Sequence, residues 1–234
     1  MISTLLVQGL AASSSSVLND MFSDGRLQSE IEHFVLFALL GFLPFFLIAT
    51  TTFTRNIIVL SFLRHALGLQ QSPPNMVLIT LAMFLTLFTM TPVLKQSYQV
   101  GIQPYLDNHM EAGEALDQSW QPIKTFLVRQ THEKDMVFVY RMNGESVPKN
   151  VAEVSFEYLV PAFMLSELKT AFKMGFIIFL PFLLVDLVMA AILMSLGMIM
   201  VPPITISLPI KVLLFVVIDG WALVSETLLM SVVT

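Results

Sequence analysis

The chain has 234 residues, 56% of them hydrophobic and 12% charged, with 19 Phe, 15 Met, no Cys and a formal net charge of −5. A soluble domain carries about 25% charged residues, so this composition describes an integral membrane protein, and the acidic balance offers no basic stripe for a nucleic-acid partner. Zero cysteine excludes a disulfide framework and any thiolate metal site.

Residues 1–32 read as a leader. Leu5 to Leu10 is apolar but short, with no Lys or Arg before it, the pattern of a degenerate signal peptide or a disordered leader. A first hydrophobic hairpin is expected over 33–94. Its first arm runs from His33 past Arg55 to Arg64. One helix from 34 to 69 would measure about 54 Å at 1.5 Å per residue. That exceeds a bilayer, so part of it protrudes, kinks at Pro44 or lies inside protein. A linker with Gly68 and the Pro73-Pro74 pair then leads into Met76 to Leu94, a second arm of spanning length.

Charge gathers in 95–160, which is expected to form a small, mostly helical polar module. Gln121 followed by Pro122 suggests a helix start, since Pro suits the first helical position, and Ile123, Phe126 and Leu127 give it an apolar face. Asn143-Gly144 is a turn signal. In 161–234, Leu168, Phe172 and Phe176 recur every four residues, with Lys169 and Lys173 on another face. They predict an amphipathic helix running into the uncharged stretch Leu187 to Ile210. Pro202 and Pro203 turn that stretch, ending the first helix near Met200 or Val201, and Pro209 delays the next helix to about Ile210. The expected fold is an all-α membrane protein in which two Pro-Pro helical hairpins flank the module. Arg55, Arg64 and His65 around the first turn and Lys211 after the second place both turns in the cytoplasm and the module on the other side.

Several residues invite a role. Asp186 and Asp219 are carboxylates within apolar runs, where an unpaired charge is costly. They read either as a structural pair between subunits, at similar depth on the two arms, or as a proton relay. Lys211 reads as a topological anchor or a contact at the cytoplasmic mouth. Arg55 and Arg64 read as interface snorkellers or as inter-subunit partners for carboxylates such as Asp186. Glu167, Lys169 and Lys173 make a solvated or inter-subunit face. No Gly-rich phosphate loop, HExxH or GxSxG appears and the four His are scattered, so no enzyme, metal or cofactor is expected.

The stretches FTRNIIVLSFLRHALGLQQSPPN (Phe53 to Asn75), PAFMLSELKTAFKMGFIIFLPFLLVDLVMA (Pro161 to Ala190) and LGMIMVPPITISLPIKVLLFVVIDGW (Leu196 to Trp221) resemble the signatures of the FliP/SctR family of flagellar and injectisome export proteins. FLVRQTHEKDM (Phe126 to Met136) is closer to the flagellar branch. The resemblance implies a type III export gate at the flagellar basal body of the bacterial inner membrane, with the polar module on the periplasmic side. It implies a homo-oligomer of about five copies, joined by FliQ, FliR and FlhB in a helically staggered assembly that conducts unfolded substrates. Much apolar sequence is then buried against neighbours and lifted out of lipid. Met198, Ile199 and Met200, which read by themselves as ordinary apolar filling, correspond to a methionine loop that forms a gasket round the closed pore. Two departures stand out: the family opens with a clear signal peptide, and its loop reads Met-Met-Met where Ile199 stands here. The alternatives are an injectisome gate subunit and, from another class, a small-solute secondary transporter with Pro-broken helices and intramembrane carboxylates.

Overall fold

The computed structural model describes residues 26–148, 150–198 and 200–233. The described residues form helices joined by short turns, without a strand. Two compact units are distinguished, one ending at Phe46 and the other running from Leu47. The first contains most of helix α1 (Arg26–Thr50), whose apolar side chains, Phe34, Phe37 and Phe42 among them, are exposed. The leader expected over 1–32 lies outside the described residues as far as 25, and from Arg26 on it is already helix α1.

The second unit is organised around α2 (Phe53–Ala66). The long first arm therefore breaks at Thr51-Thr52 and not at Pro44, which stays inside α1. Hydroxyls make the break: Thr51 Oγ1 donates to Leu47 O (2.5 Å) and accepts from Phe53 N (3.3 Å), while Thr54 Oγ1 donates to Ile48 O (3.1 Å). Such local bonds offer the backbone an alternative to the helix ladder. Val59, Leu60, Leu63 and Ala66 of α2 are fully buried, so this arm lies inside protein. It stops in a Schellman motif, with Gly68 at φ +76°, Gly68 N–H on His65 O (3.0 Å) and Leu69 N–H on Arg64 O (3.3 Å).

Across the Pro73-Pro74 turn, α3 (Asn75–Ser97) returns antiparallel to α2. The register is fixed by Thr52 Oγ1 on Thr89 Oγ1 (2.9 Å) and by Asn56 Nδ2 donating to Thr86 Oγ1 (3.0 Å). α3 continues through a π-helical turn, Tyr98–Ile102, into α4 (Gln103–Leu106), so the expected module boundary at 94/95 falls inside a continuous rod. Gly101 lets that rod touch the next helix, since a Cβ there would lie 2.0 Å from Ser119 Oγ. Helix α5 (Ala112–Gln130) starts nine residues before the expected Gln121, and Pro122 is buried within it. Helix α6 (Glu133–Met142) follows, ended by Gly144 at φ +76°. Phe126, Leu127, Met136, Tyr140, Leu159 and Phe163 make the module's core.

Helix α7 (Phe156–Ser195) is 40 residues long, or about 60 Å at 1.5 Å per residue. It runs parallel to α2, with Glu167 beside Arg55 and Gly175 beside Phe62. The expected boundary at 160/161 is thus interior, and the Leu168, Phe172, Phe176 stripe is not the packing face. Phe172 and Phe176 are exposed, whereas Phe163, Glu167, Ala171 and Gly175 meet the core. At Gly175 that face must be small, since a Cβ there would lie 2.7 Å from Phe62 of α2. Helix α7 ends at Ser195, not near Met200: Gly197 (φ +75°) closes a second Schellman motif, with Met198 N–H on Leu193 O (2.9 Å) and Gly197 N–H on Met194 O (3.1 Å). Helix α8 (Pro203–Val217) begins at Pro203, a residue with no N–H to lose at a helix start, and it carries Pro209 inside. Helix α9 (Gly220–Val233) follows after a 64° bend. Three helical stretches, His33–Thr50, Asn75–Leu106 and Phe156–Ser195, are long and apolar enough to cross a membrane, and the bent α8–α9 pair is a fourth candidate.

Candidate functional site

The second Pro-Pro turn presents the methionines. Pro202 caps α8 and Pro203 opens it, while Gly197 stops α7, leaving a short loop between two antiparallel arms. Met200 is 97% exposed and Met198 44%; Ile199 lies outside the described residues.

Below the loop the arms are locked by charge. Asp186 of α7 accepts from Ser207 Oγ at Oδ1 (2.6 Å) and from Lys211 Nζ at Oδ2 (2.5 Å). Ser207 and Lys211, one helical turn apart on α8, grip the same carboxylate. Lys211 Nζ also donates to Ala66 O (3.1 Å), a C-terminal carbonyl of α2 that has no intrahelical partner and sits at the negative end of the helix dipole. Lys211 is therefore 3% exposed and inside the fold, which corrects the expectation of a contact at the cytoplasmic mouth. Asp186 finds partners within the chain.

Asp219 differs from Asp186 in both depth and state. Asp186 is level with Ser207 and Lys211, so Asp219 lies eight residues beyond it and the two carboxylates do not share a depth. Asp219 is not mid-helix either: it sits at the bend with φ +50°, its carbonyl accepting Leu223 N–H (3.1 Å), and its side chain is exposed. The left-handed backbone there suits Asp better than most residues. Gly220 is required next, since a Cβ would fall 2.1 Å from the Phe215 ring.

At the far end of α2, Arg55 is 2% exposed and every arm of its guanidinium is occupied. Nε donates to Glu167 Oε2 (2.9 Å), Nη2 to Glu167 Oε1 and to Gln130 Oε1 (3.0 Å), and Nη1 to Ser231 O (3.0 Å) and Oγ (2.9 Å). Gln130 Nε2 in turn donates to Val232 O (3.1 Å). One arginine thus joins α2, α5, α7 and α9. Neither Arg55 as a snorkelling or inter-subunit residue nor Glu167 as a solvated or inter-subunit one holds: both are interior. Arg64 also stays within the chain, donating to Asn75 Oδ1 (2.5 Å) across the first turn.

Lys169 is not free either, for it pairs with Asp135 of α6. Asp135, 1% exposed, also accepts from Ser166 Oγ (2.8 Å), and Ser166 accepts His132 N–H (2.9 Å), which ties the α5–α6 corner to α7. Burial alone would raise the Asp135 carboxyl, but hydrogen bonds from Lys169 and Ser166 with the charges of Lys169 and His132 hold it below its ordinary value. Lys173 remains exposed. The joints missed from sequence are Gln130, Asp135, Ser166, Ser207 and Ser231. Ser207 carried a signal, standing four residues before a lysine in an apolar helix; the others are polar residues whose partners are more than 30 positions away.

The model of the FliP family matches residues 36–228. The chain is 42% identical to the flagellar biosynthetic protein FliP of Caulobacter vibrioides over 98% of its own length and 87% of that protein. Against FliP of Bacillus subtilis the identity is 43%, covering 88% and 93% of the two chains, and against FliP of Agrobacterium fabrum it is 39%, covering 98% and 96%. With a family match that takes in both hairpins and the module between them, the chain belongs to the FliP family of flagellar biosynthetic proteins.

Proposed function

We propose that this chain is the pore-forming subunit of the flagellar type III export gate, passing unfolded flagellar proteins across the bacterial inner membrane. The observation that carries this is the family match, which spans 36–228 with relatives named as flagellar biosynthetic proteins. The four segments of the sequence reading then serve as leader, first hairpin, periplasm-side module and pore hairpin. About five copies ring a channel with FliQ and FliR, next to FlhB, and the Met198–Met200 loop closes it. Methionine suits a seal because its unbranched, polarizable side chain adapts to irregular partners, and an apolar constriction gates by dewetting. The 97% exposure of Met200 supports that role, as does the Asp186–Lys211 clamp, which stiffens the arms so that motion is confined to the tip. The subunit guides and seals; its residues do no chemistry on the passenger.

Native mass spectrometry of the detergent-purified complex, co-expressed with FliQ and FliR, tests this reading. An assembly containing about five copies is expected; a monomer or dimer that binds neither partner refutes it and reopens the small-solute transporter.

A further inference from the structure

Helices α3 and α5 touch where Gly101 faces Ser119 and Ser97 Oγ donates to Ser119 O (2.6 Å). Further along, Gln130 joins α5 to the end of α9. Between these two ties lies a cleft of about 800 Å³, with Val93, Phe126 and Val232 as its apolar base. Its walls are polar. On α5, Gln118, Gln121, Thr125 and Arg129 follow one another at three, four and four residues, the spacing of one helix face, and Gln96 lines the cleft from α3. All five are exposed. The side chains of Gln96, Gln118, Gln121 and Arg129 make no hydrogen bond or ion pair with the described residues, and among those residues no acid lines the cleft. Convergent polar groups over an apolar base mark a binding site.

The chemistry selects the guest. A glutamine amide both donates and accepts, as does each peptide unit of a main chain, so three free amides suit a backbone and ask for no particular side chain. Arg129 adds a planar fork for one carboxylate. From Gln118 to Arg129 the stripe runs about 16 Å at 1.5 Å per residue, the span of about five extended residues at roughly 3.3 Å each. Between walls this exposed a compact solute would stay uncovered, whereas a chain lying along the cleft meets every polar group in turn. A permanent subunit contact is more apolar, and this chain offers such surface elsewhere, as at the exposed Phe172 and Phe176 of α7. The cleft is therefore suited to a transient guest of no fixed sequence.

We propose that this cleft holds an extended stretch of the passenger polypeptide, its main chain on Gln96, Gln118 and Gln121 and an acidic side chain on Arg129. The proposal rests on the export reading above and gives the same passenger a second contact, on the module, besides the Met198–Met200 loop.

The absence of native cysteine makes the test direct. The full chain carrying Thr125→Cys, which leaves the glutamines and Arg129 in place, is assembled with its gate partners and loaded with a passenger arrested by fusion to a domain that does not unfold. The passenger bears single cysteines, each beside an aspartate, and a short bis-maleimide joins neighbouring thiols. A passenger adduct is expected at Thr125→Cys and at Met200→Cys, but not at Leu116→Cys, which is exposed on α5 outside the cleft. Arg129→Glu should lower the Thr125→Cys adduct about fivefold and Arg129→Lys should keep most of it, while a passenger with lysine in place of the aspartate should lose the adduct in the parent and regain it with Arg129→Glu. An adduct at Met200→Cys with none at Thr125→Cys overturns the cleft while leaving the export reading intact. So does a Thr125→Cys adduct that is matched at Leu116→Cys, that Arg129→Glu does not move, or that joins another gate subunit instead of the passenger. No passenger adduct at either Thr125→Cys or Met200→Cys refutes the export reading, and the proposal with it.

Discussion

Truncating Glu167 to Ala should be among the most damaging single changes in the second unit. Arg55 is 2% exposed and Glu167 fully buried, so the substitution strips a buried guanidinium of its counter-charge and of two of its hydrogen bonds. Breaking a buried pair by removing one partner costs about 3–5 kcal/mol, whereas replacing both partners by apolar side chains of similar volume is often neutral or better. The remaining acceptors, Gln130 Oε1, Ser231 O and Ser231 Oγ, are neutral and do not replace the lost charge. Glu167→Ala should therefore lose about 3–5 kcal/mol, and Arg55→Leu a similar amount through the stranded carboxylate. The double variant Arg55→Leu, Glu167→Leu should recover most of the loss, a coupling of several kcal/mol in a double-mutant cycle. Equilibrium unfolding in mixed SDS micelles, followed by tryptophan fluorescence, gives all four free energies. A Glu167→Ala cost below about 1 kcal/mol, typical of an exposed pair, or a double variant that loses the sum of both singles, would refute the argument that this network is held by mutual burial of charge.

Four further outcomes are expected. Lys211→Ala should cost less than Glu167→Ala, about 1–3 kcal/mol, because the Asp186 side chain it abandons is 41% exposed and can be hydrated; hydrogen exchange should rise at the α7–α8 arms first. Gly175→Ala should cost about 1–3 kcal/mol by overpacking, since its Cβ would meet Phe62 Cγ at 2.7 Å, and Phe62→Ala in the same chain should relieve most of that strain in the same unfolding assay. For Asp135, whose folded carboxyl titrates below its ordinary value of 3.8, the stabilising contribution is complete above about pH 4 and disappears as pH falls through the folded value. Asp135→Asn should flatten that acid limb in stability measured from pH 6 downward. Met200→Ser should leave unfolding within about 0.5 kcal/mol of the parent, as for other surface changes, yet raise ion conductance of the assembled complex in planar bilayers.

The joints divide sharply by how they could be found. Apolar runs and their punctuation lie along the chain, so composition and Pro-Gly signals place the helical hairpins, the turns at Pro73-Pro74 and Pro202-Pro203, and the carboxylate at Asp186. Local backbone chemistry was harder to weigh: Gly197 ended α7 before the prolines did, and Thr51 with Thr54 broke the first arm where Pro44 did not, because a satisfied alternative set of hydrogen bonds outcompetes one missing donor.

What the sequence alone determined was that this is an all-α membrane protein of paired hairpins, together with the motifs of its family, since both depend on residues near one another in the chain. Which charges are structural was decided only in three dimensions. Arg55 and Glu167, 112 positions apart, and Lys211 and Ala66, 145 apart, meet because α2 runs parallel to α7 with α8 folded back against its end. Pairing free energy depends on distance and burial, which no spacing along the chain encodes.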